Sequence, residues 1–266
     1  MKSAVLSKIH SEITQLARRV GDSLYQNSAK RKRISYKGAV DLVTQFDRQS
    51  QKAIVEYCTR HYPKYGILSE EDVHRSIDAP IKWIIDPLDG TTNFCHGLPI
   101  WSISIALEEE GAVITGIVYD PTRQEMFSAM KGKGAYLNGR RIRVSGEKRL
   151  DRALLVTGFP YDIRTSRENN LDLFSAFAKR AQAVRRLGSA ALDLCYTAAG
   201  RFDGYWELKL SPWDQAAGSL ILKEAGGTIS DFTNKEFNIY GDQVLATNGH
   251  IHRQMMSVVK TVRSGT

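Results

Sequence analysis

The chain of 266 residues is short of the features that would commit it to a specialised class. It has three cysteines, Cys58, Cys95 and Cys195, and none stands in a C-x-x-C arrangement. An odd number cannot all pair with one another, so reduced thiols at core or near-core positions of a cytoplasmic protein are the simpler reading. No run of 18 uncharged apolar residues occurs, which excludes a membrane-spanning helix. Lys2, Lys8, Glu12, Arg18, Arg19 and Asp22 interrupt the apolar pattern of the first 27 residues, which excludes a signal-peptide core. The sequence also lacks G-x-x-x-x-G-K-[ST], H-E-x-x-H and G-x-S-x-G, so a P-loop, a zincin and a serine-hydrolase elbow are all missing their parts. Its histidines are scattered, and His250 and His252 read as a polar tail before a metal site.

What remains is an ordinary globular composition. Apolar residues make up 42% and charged residues 25%, which excludes a disordered or fibrous chain. At roughly 150 residues per domain the length fits one large domain or two that share an interface. The expected division is an N-terminal half, 1–150, and a C-terminal half, 151–266, in one compact unit. Lys and Arg number 37 against 29 Asp and Glu, a net charge of +8. That excess permits an anionic partner without naming one.

Val5, Ile9, Ile13, Leu16, Val20 and Leu24 recur at steps of three or four, so the first 27 residues form an amphipathic helix. The basic run at 30–33 reads as a solvated loop. A second helix runs from Thr44 to about His61, with Phe46, Ala53, Ile54 and Tyr57 as its inner face and Pro63 beyond its end. The period then changes. Residues 82–86 read as a buried strand, 101–107 and 112–119 as a hairpin, and Asn138-Gly139 as a two-residue hairpin turn. Past residue 150, strands at 153–157, 183–186 and 204–207 alternate with helices at 167–180, 189–199 and 213–225. Strands at 66–68 and 244–247 complete sheets covered by helices, in layers.

The informative stretch is Asp86-Pro87-Leu88-Asp89-Gly90-Thr91-Thr92-Asn93-Phe94. It places two carboxylates three residues apart just after a buried strand. Carboxylates gathered at a strand end repel one another, and a hard cation such as Mg²⁺ relieves the repulsion because it prefers oxygen ligands. Gly90-Thr91-Thr92 can open a helix or nest whose N–H groups face an anion. An isolated D-x-x-D is common in turns, but other carboxylates accompany it: Glu70-Glu71 at another strand end, Asp41 and Asp47 around Thr44, and Asp214 at a helix start. Asp214 also reads as a plain N-terminal cap.

These residues together resemble the inositol monophosphatase family of Mg²⁺-dependent, lithium-sensitive phosphatases. The resemblance rests on Asp41-Leu42-Val43-Thr44 with Asp47, Ser69-Glu70-Glu71-Asp72, residues 83–94, Gly158-Phe159-Pro160-Tyr161, Gly188-Ser189-Ala190, Trp213-Asp214-Gln215-Ala216-Ala217 and Glu224-Ala225-Gly226-Gly227. It spans nearly the whole chain. Ser69 departs from it, standing where members often have Gly, which bears on the shape of the loop beside Glu70.

The resemblance implies an α+β fold, the layered αβαβα sandwich of the inositol monophosphatase and fructose-1,6-bisphosphatase type, as a homodimer. It implies that Glu70, Asp86 and the Leu88 carbonyl hold one Mg²⁺ and that Asp86, Asp89 and Asp214 hold a second. A third, weaker ion would sit near Glu70. Thr91, paired with Asp47, would orient the attacking water, with Glu70 also in a catalytic role. Asp89, Gly90, Thr91, Thr92, Arg185, Gly188, Ser189, Ala190, Glu207 and Asp214 would contact substrate. Glu207 reads equally as a rim carboxylate, and Ser189 also as a helix cap. The implied reaction is hydrolysis of a phosphate monoester, with myo-inositol 1-phosphate as first substrate. Fructose 1,6-bisphosphate or another sugar or alcohol phosphate is the alternative. Outside enzymology, the basic clusters at 30–33 and 131–152 could engage RNA or a transcription complex.

Overall fold

The computed structural model describes residues 1–30, 34–36, 42–71 and 74–264. Asp41, Asp72 and the basic residues at 31–33 lie outside the described residues.

Helices α1 (Ser3–Asn27) and α2 (Gln45–His61) flank the short antiparallel pair β1 (Ile34–Tyr36) and β2 (Leu42–Thr44). There follow β3 (Gly66–Ser69), β4 (His74–Arg75), β5 (Ile81–Asp89), the short helix α3 (Thr91–His96), β6 (Ser102–Glu109), β7 (Ala112–Asp120), β8 (Glu125–Met130), β9 (Ala135–Leu137) and β10 (Arg140–Arg141). The second half runs β11 (Leu154–Thr157), α4 (Leu171–Ala178), β12 (Ala183–Arg185), α5 (Ala190–Ala198), β13 (Gly204–Leu208), α6 (Pro212–Glu224), β14 (Thr228–Ser230), β15 (Gln243–Thr247) and α7 (His252–Ser264).

An eight-stranded sheet has the order β10-β9-β8-β7-β6-β5-β3-β4, and a five-stranded sheet the order β12-β11-β13-β15-β14. Alternation along the central strands sorts side chains into three cores. In β5, Trp83 and Ile85 face α1 and α2, where Ile9, Ile13, Leu16 and Ile54 pack, while Ile84 faces the helices α5 and α6. In β13, Tyr205 joins that middle core and Trp206 turns to the far side, against Phe177 of α4 and Met255 of α7. The successive layers are therefore helix, sheet, helix, sheet, helix, an α+β sandwich. The central strands β5, β6, β7 and β13 are covered on both faces, so nearly all their side chains are buried.

Several elements differ from the sequence expectation. The buried stripe of α1 passes through half-buried Leu6, and Val5 is exposed. On α2, Phe46 and Ile54 point inward but Ala53 faces solvent, because Asp47, Ser50 and Gln51 occupy the inner face. Helix α4 begins at Leu171, after Asn170 in the left-handed region (φ 71°), well short of the helix expected from 167. The expected polar tail at the C-terminus is instead α7. His252 opens it, 7% exposed, its ring nitrogens 3.2 Å from Ser230 Oγ and 3.1 Å from Thr247 Oγ1. Among the described residues no helix is long and apolar enough to cross a membrane.

Candidate active site

Strand β5 crosses the eight-stranded sheet and ends in the acidic turn; its neighbour β3 runs parallel and delivers Glu70 at the same end. The start of α6 brings Asp214 to that point from the middle helical layer. These residues, with Gly90, Thr91, Thr92, Gly188, Ser189, Ala190 and Glu207, line a cavity of about 280 Å³. Asp47, Asp86 and Leu88 are buried, at 0%, 2% and 1% exposure.

Hydrogen bonds fix Asp47, Asp86, Asp89 and Asp214. Asp47 is the third residue of α2 and closes a capping box with Thr44: one carboxylate oxygen accepts from Thr44 N (2.7 Å) and Thr44 Oγ1 (2.5 Å). Its other oxygen accepts from Thr91 Oγ1 at 2.8 Å. The hydroxyl of Thr91 is also 3.0 Å from the Leu88 carbonyl. Asp86 Oδ1 accepts from Leu88 N at 3.0 Å. Asp89 Oδ2 accepts from Ser189 Oγ (2.5 Å), Ala191 N (2.9 Å) and Ser102 Oγ (3.4 Å), tying β5 to α5. Asp214 caps α6, accepting from Ser211 N at 2.7 Å. It closes the capping box of α6 and also lines the cavity.

Ser69 is fully buried and donates to Gln51 Oε1. Gln51 in turn accepts from Glu71 N at 3.1 Å and donates to the Glu71 carbonyl at 2.7 Å, so α2 clips the turn that carries Glu70.

The charges here oppose one another. Burial, then the negative charges of Glu70, Asp89 and Asp214, push the Asp86 carboxyl well above its ordinary 3.8. Burial followed by Asp89 and Glu70 does the same to Asp214. Burial raises Asp89 to about 6, opposed by the hydrogen bonds from Ser189 and Ala191. Glu207 rises to about 7 through burial, opposed by the Tyr205 hydroxyl, which donates at 2.7 Å, and by the Arg186 charge. The donors are all oxygens, the chemistry of a hard divalent cation. Among the described residues, no three His, Cys, Asp or Glu side chains are gathered into a group that could hold a metal as they stand.

The profile of the inositol monophosphatase family matches residues 6–264. The chain belongs to that family. It is 44% identical over 244 residues to an inositol-1-monophosphatase of Synechocystis, covering 91% of this chain and 85% of that one. It is 42% identical over 253 residues to the Nus factor SuhB of Pseudomonas aeruginosa, covering 92% and 93%. The solved structure of an inositol monophosphatase from Anabaena superposes with a TM-score of 0.88 at 38% identity, over 96% of each chain.

One expected contact of this inositol monophosphatase family member moves by a residue. Arg185, at the end of β12, is exposed, does not line the cavity, and donates to its neighbour's carbonyl, Val184 O, at 3.0 Å. Arg186 lines the cavity instead. In an extended segment adjacent side chains point to opposite sides, and two consecutive arginines gave no sequence signal for which faces the site. The wall built by Phe159, Pro160 and Tyr161 and the lining residues Lys209, Ser211 and Trp213 had no assigned role from sequence, although four of the six lie in the quoted motifs. Gly158 has a packing reason for its identity. A Cβ there would lie 2.0 Å from Glu207 Oε1, so a side chain at 158 would displace that carboxylate.

Proposed function

We propose that this protein is a Mg²⁺-dependent phosphate monoesterase that hydrolyses myo-inositol 1-phosphate to myo-inositol and phosphate. The Asp47–Thr91 pair, set beside mutually repelling carboxylates in one cavity, carries the reading. Family membership and the named activity of the Synechocystis relative support it.

Glu70, Asp86, Asp89, Asp214 and the Leu88 carbonyl would hold two Mg²⁺, with a weaker third near Glu70. Bound Mg²⁺ supplies Lewis acidity and positive charge for in-line displacement by water. The remaining steps belong to the chain. Asp47, held by Thr44 through its other oxygen, accepts the Thr91 proton, so the threonine oxygen presents lone pairs to the cavity. It can then accept a hydrogen bond from the attacking water and fix its approach. Backbone N–H groups of Gly90, Thr91 and Thr92 would meet the phosphate at the start of α3, which Gly90 opens at φ 95°. Ser189 donates to Asp89, which leaves its own lone pairs for a substrate hydroxyl. Glu207 changes protonation near neutrality and can donate to or accept from the alcohol.

The test compares phosphate release from myo-inositol 1-phosphate, fructose 1,6-bisphosphate, histidinol phosphate and 3′-phosphoadenosine 5′-phosphate at equal Mg²⁺. Inositol 1-phosphate should be preferred; a preference for the bisphosphate of about tenfold or more overturns the assignment. A homodimer is the proposed assembly. A second reading comes from the P. aeruginosa relative and from exposed Lys131, Lys133, Arg140 and Arg141 along one edge of the larger sheet. Among the described residues these four form no ion pair, and salt-titrated RNA binding tests whether the edge has a polyanionic partner.

A further inference from the structure

Among the described residues, seven that bear a side chain take positive φ, of which Ser76 and Asn234 lie in the β4–β5 and β14–β15 connections. Glu110, Gln124 and Asn138 turn hairpins between consecutive strands. Asn170 and Lys209, at φ 71° and 58°, instead hold one loop from two ends. That loop, 158–166, carries Phe159, Pro160 and Tyr161 into the cavity wall. At its root, Asn170 Nδ2 donates to the Gly158 carbonyl (2.7 Å) and to Thr157 Oγ1 (2.9 Å), and Asn170 Oδ1 accepts from Trp206 Nε1 (2.7 Å). At its far end, Lys209 Nζ reaches across from the β13–α6 connection to Asp162 Oδ2 (2.5 Å) and Ser166 Oγ (2.8 Å).

Asparagine tolerates the left-handed region; lysine does so at a steric cost that glycine would avoid. A lysine kept in that conformation, in the segment leading to Asp214, with two ammonium donors spent on one loop, marks a position where the side chain matters more than backbone comfort. We propose that Lys209 is a positioning residue that straps the 158–166 loop across the cavity, fixing the Phe159–Tyr161 wall and so the selection of alcohols large enough to reach it. The inference rests on the reading of this cavity as the phosphate-ester site. Lys209 acts through the wall, so its loss changes recognition of a ring-sized alcohol more than the chemical step.

Lys209→Gly removes the strap and relieves the backbone, so the variant should fold. Asp162→Asn weakens the strap from the other side, and Lys209→Arg keeps it. Arg164 and Arg167 are exposed trypsin sites in and beside the loop, so initial cleavage there reports its opening. For Lys209→Gly and Asp162→Asn, cleavage should speed up about three- to tenfold, as expected for losing an exposed ion pair and its added hydrogen bond. KM for myo-inositol 1-phosphate should rise by a similar factor with kcat within about twofold, KM for glycerol 2-phosphate should change less than about twofold, and Lys209→Arg should restore both readouts. Unchanged cleavage overturns the strap, and equal KM changes for the two esters overturn its role in selectivity. If the wild-type protein does not hydrolyse inositol 1-phosphate, the proposed function fails while the cleavage comparison still decides the strap.

Discussion

Replacing Asp89 by Asn should stabilise the metal-free protein while abolishing turnover, and the size of the effect can be worked from its surroundings. Burial raises this carboxyl from 3.8 to about 6 in the folded state. Keeping it ionised near pH 7.5 therefore costs the fold about 3 kcal/mol, at about 1.36 kcal/mol per pH unit. The hydrogen bonds from Ser189, Ala191 and Ser102 already oppose the rise, so that cost is net of them, and asparagine, neutral like the protonated acid, removes it. The gain of about 3 kcal/mol raises the melting temperature by about 5–8 °C in EDTA for a chain of this size. Because the folded pKa is raised, the advantage of Asn is absent below about pH 4, where both states hold the proton, and grows until about pH 6. Mg²⁺ should largely cancel the difference: at one hundred times its Kd, a ligand stabilises by about 2.7 kcal/mol, and the variant has lost one of its ligands. The assay is thermal unfolding of both proteins with EDTA and with Mg²⁺ across pH. A variant no more stable than wild type in EDTA at pH 7.5, or stabilised equally by Mg²⁺, would refute the electrostatic account of the site.

Thr91→Val removes the hydroxyl that Asp47 orients, so kcat should fall by about a hundredfold or more with KM little changed, measured by phosphate release. Arg186→Ala should raise KM about five- to tenfold, and Arg185→Ala should leave it near wild type; the opposite pattern would mean that the wrong guanidinium has been placed in the cavity. Gly158→Ala should displace Glu207 and raise KM for the inositol ester about tenfold, and a crystal structure of the variant with Glu207 unmoved would contradict the packing argument.

The layered fold was legible because its strands are short, apolar and punctuated by glycine turns, and Glu110-Gly111 and Asn138-Gly139 do take positive φ. The misreadings have one physical cause in α2. Periodicity counts apolar residues as inward, but Asp47, Ser50 and Gln51 are buried with their hydrogen bonds satisfied by the site, so Ala53 is turned out. The same holds for His252, a polar residue that packs inside through Ser230 and Thr247. Motif residues also divide between chemistry and architecture in a way that order along the chain does not reveal. Glu224, quoted among the family motifs, accepts from Gly132 N (2.6 Å) and Gly134 N (2.7 Å) far from the cavity lining.

The carboxylates of the site were readable as residue types at strand and helix ends; which cations accompany them was not. The chain carries an excess of +8, yet among the described residues lining the cavity the basic side chains are Arg186 and Lys209, against Glu70, Asp89, Glu207 and Asp214. Lys209 is committed to Asp162, which leaves Arg186, among the described residues of the lining, to meet a phosphate. A phosphate dianion entering such a cavity gains little from the protein's own cations and is repelled by its carboxylates. On the proposed function, positive charge brought from solution would offset that repulsion, and oxygen donors suit a hard divalent ion. Substrate and metal affinity should then be linked, each ester raising the affinity for Mg²⁺ by the same factor by which Mg²⁺ raises the affinity for the ester. The surface excess acts at longer range, concentrating anions around the site.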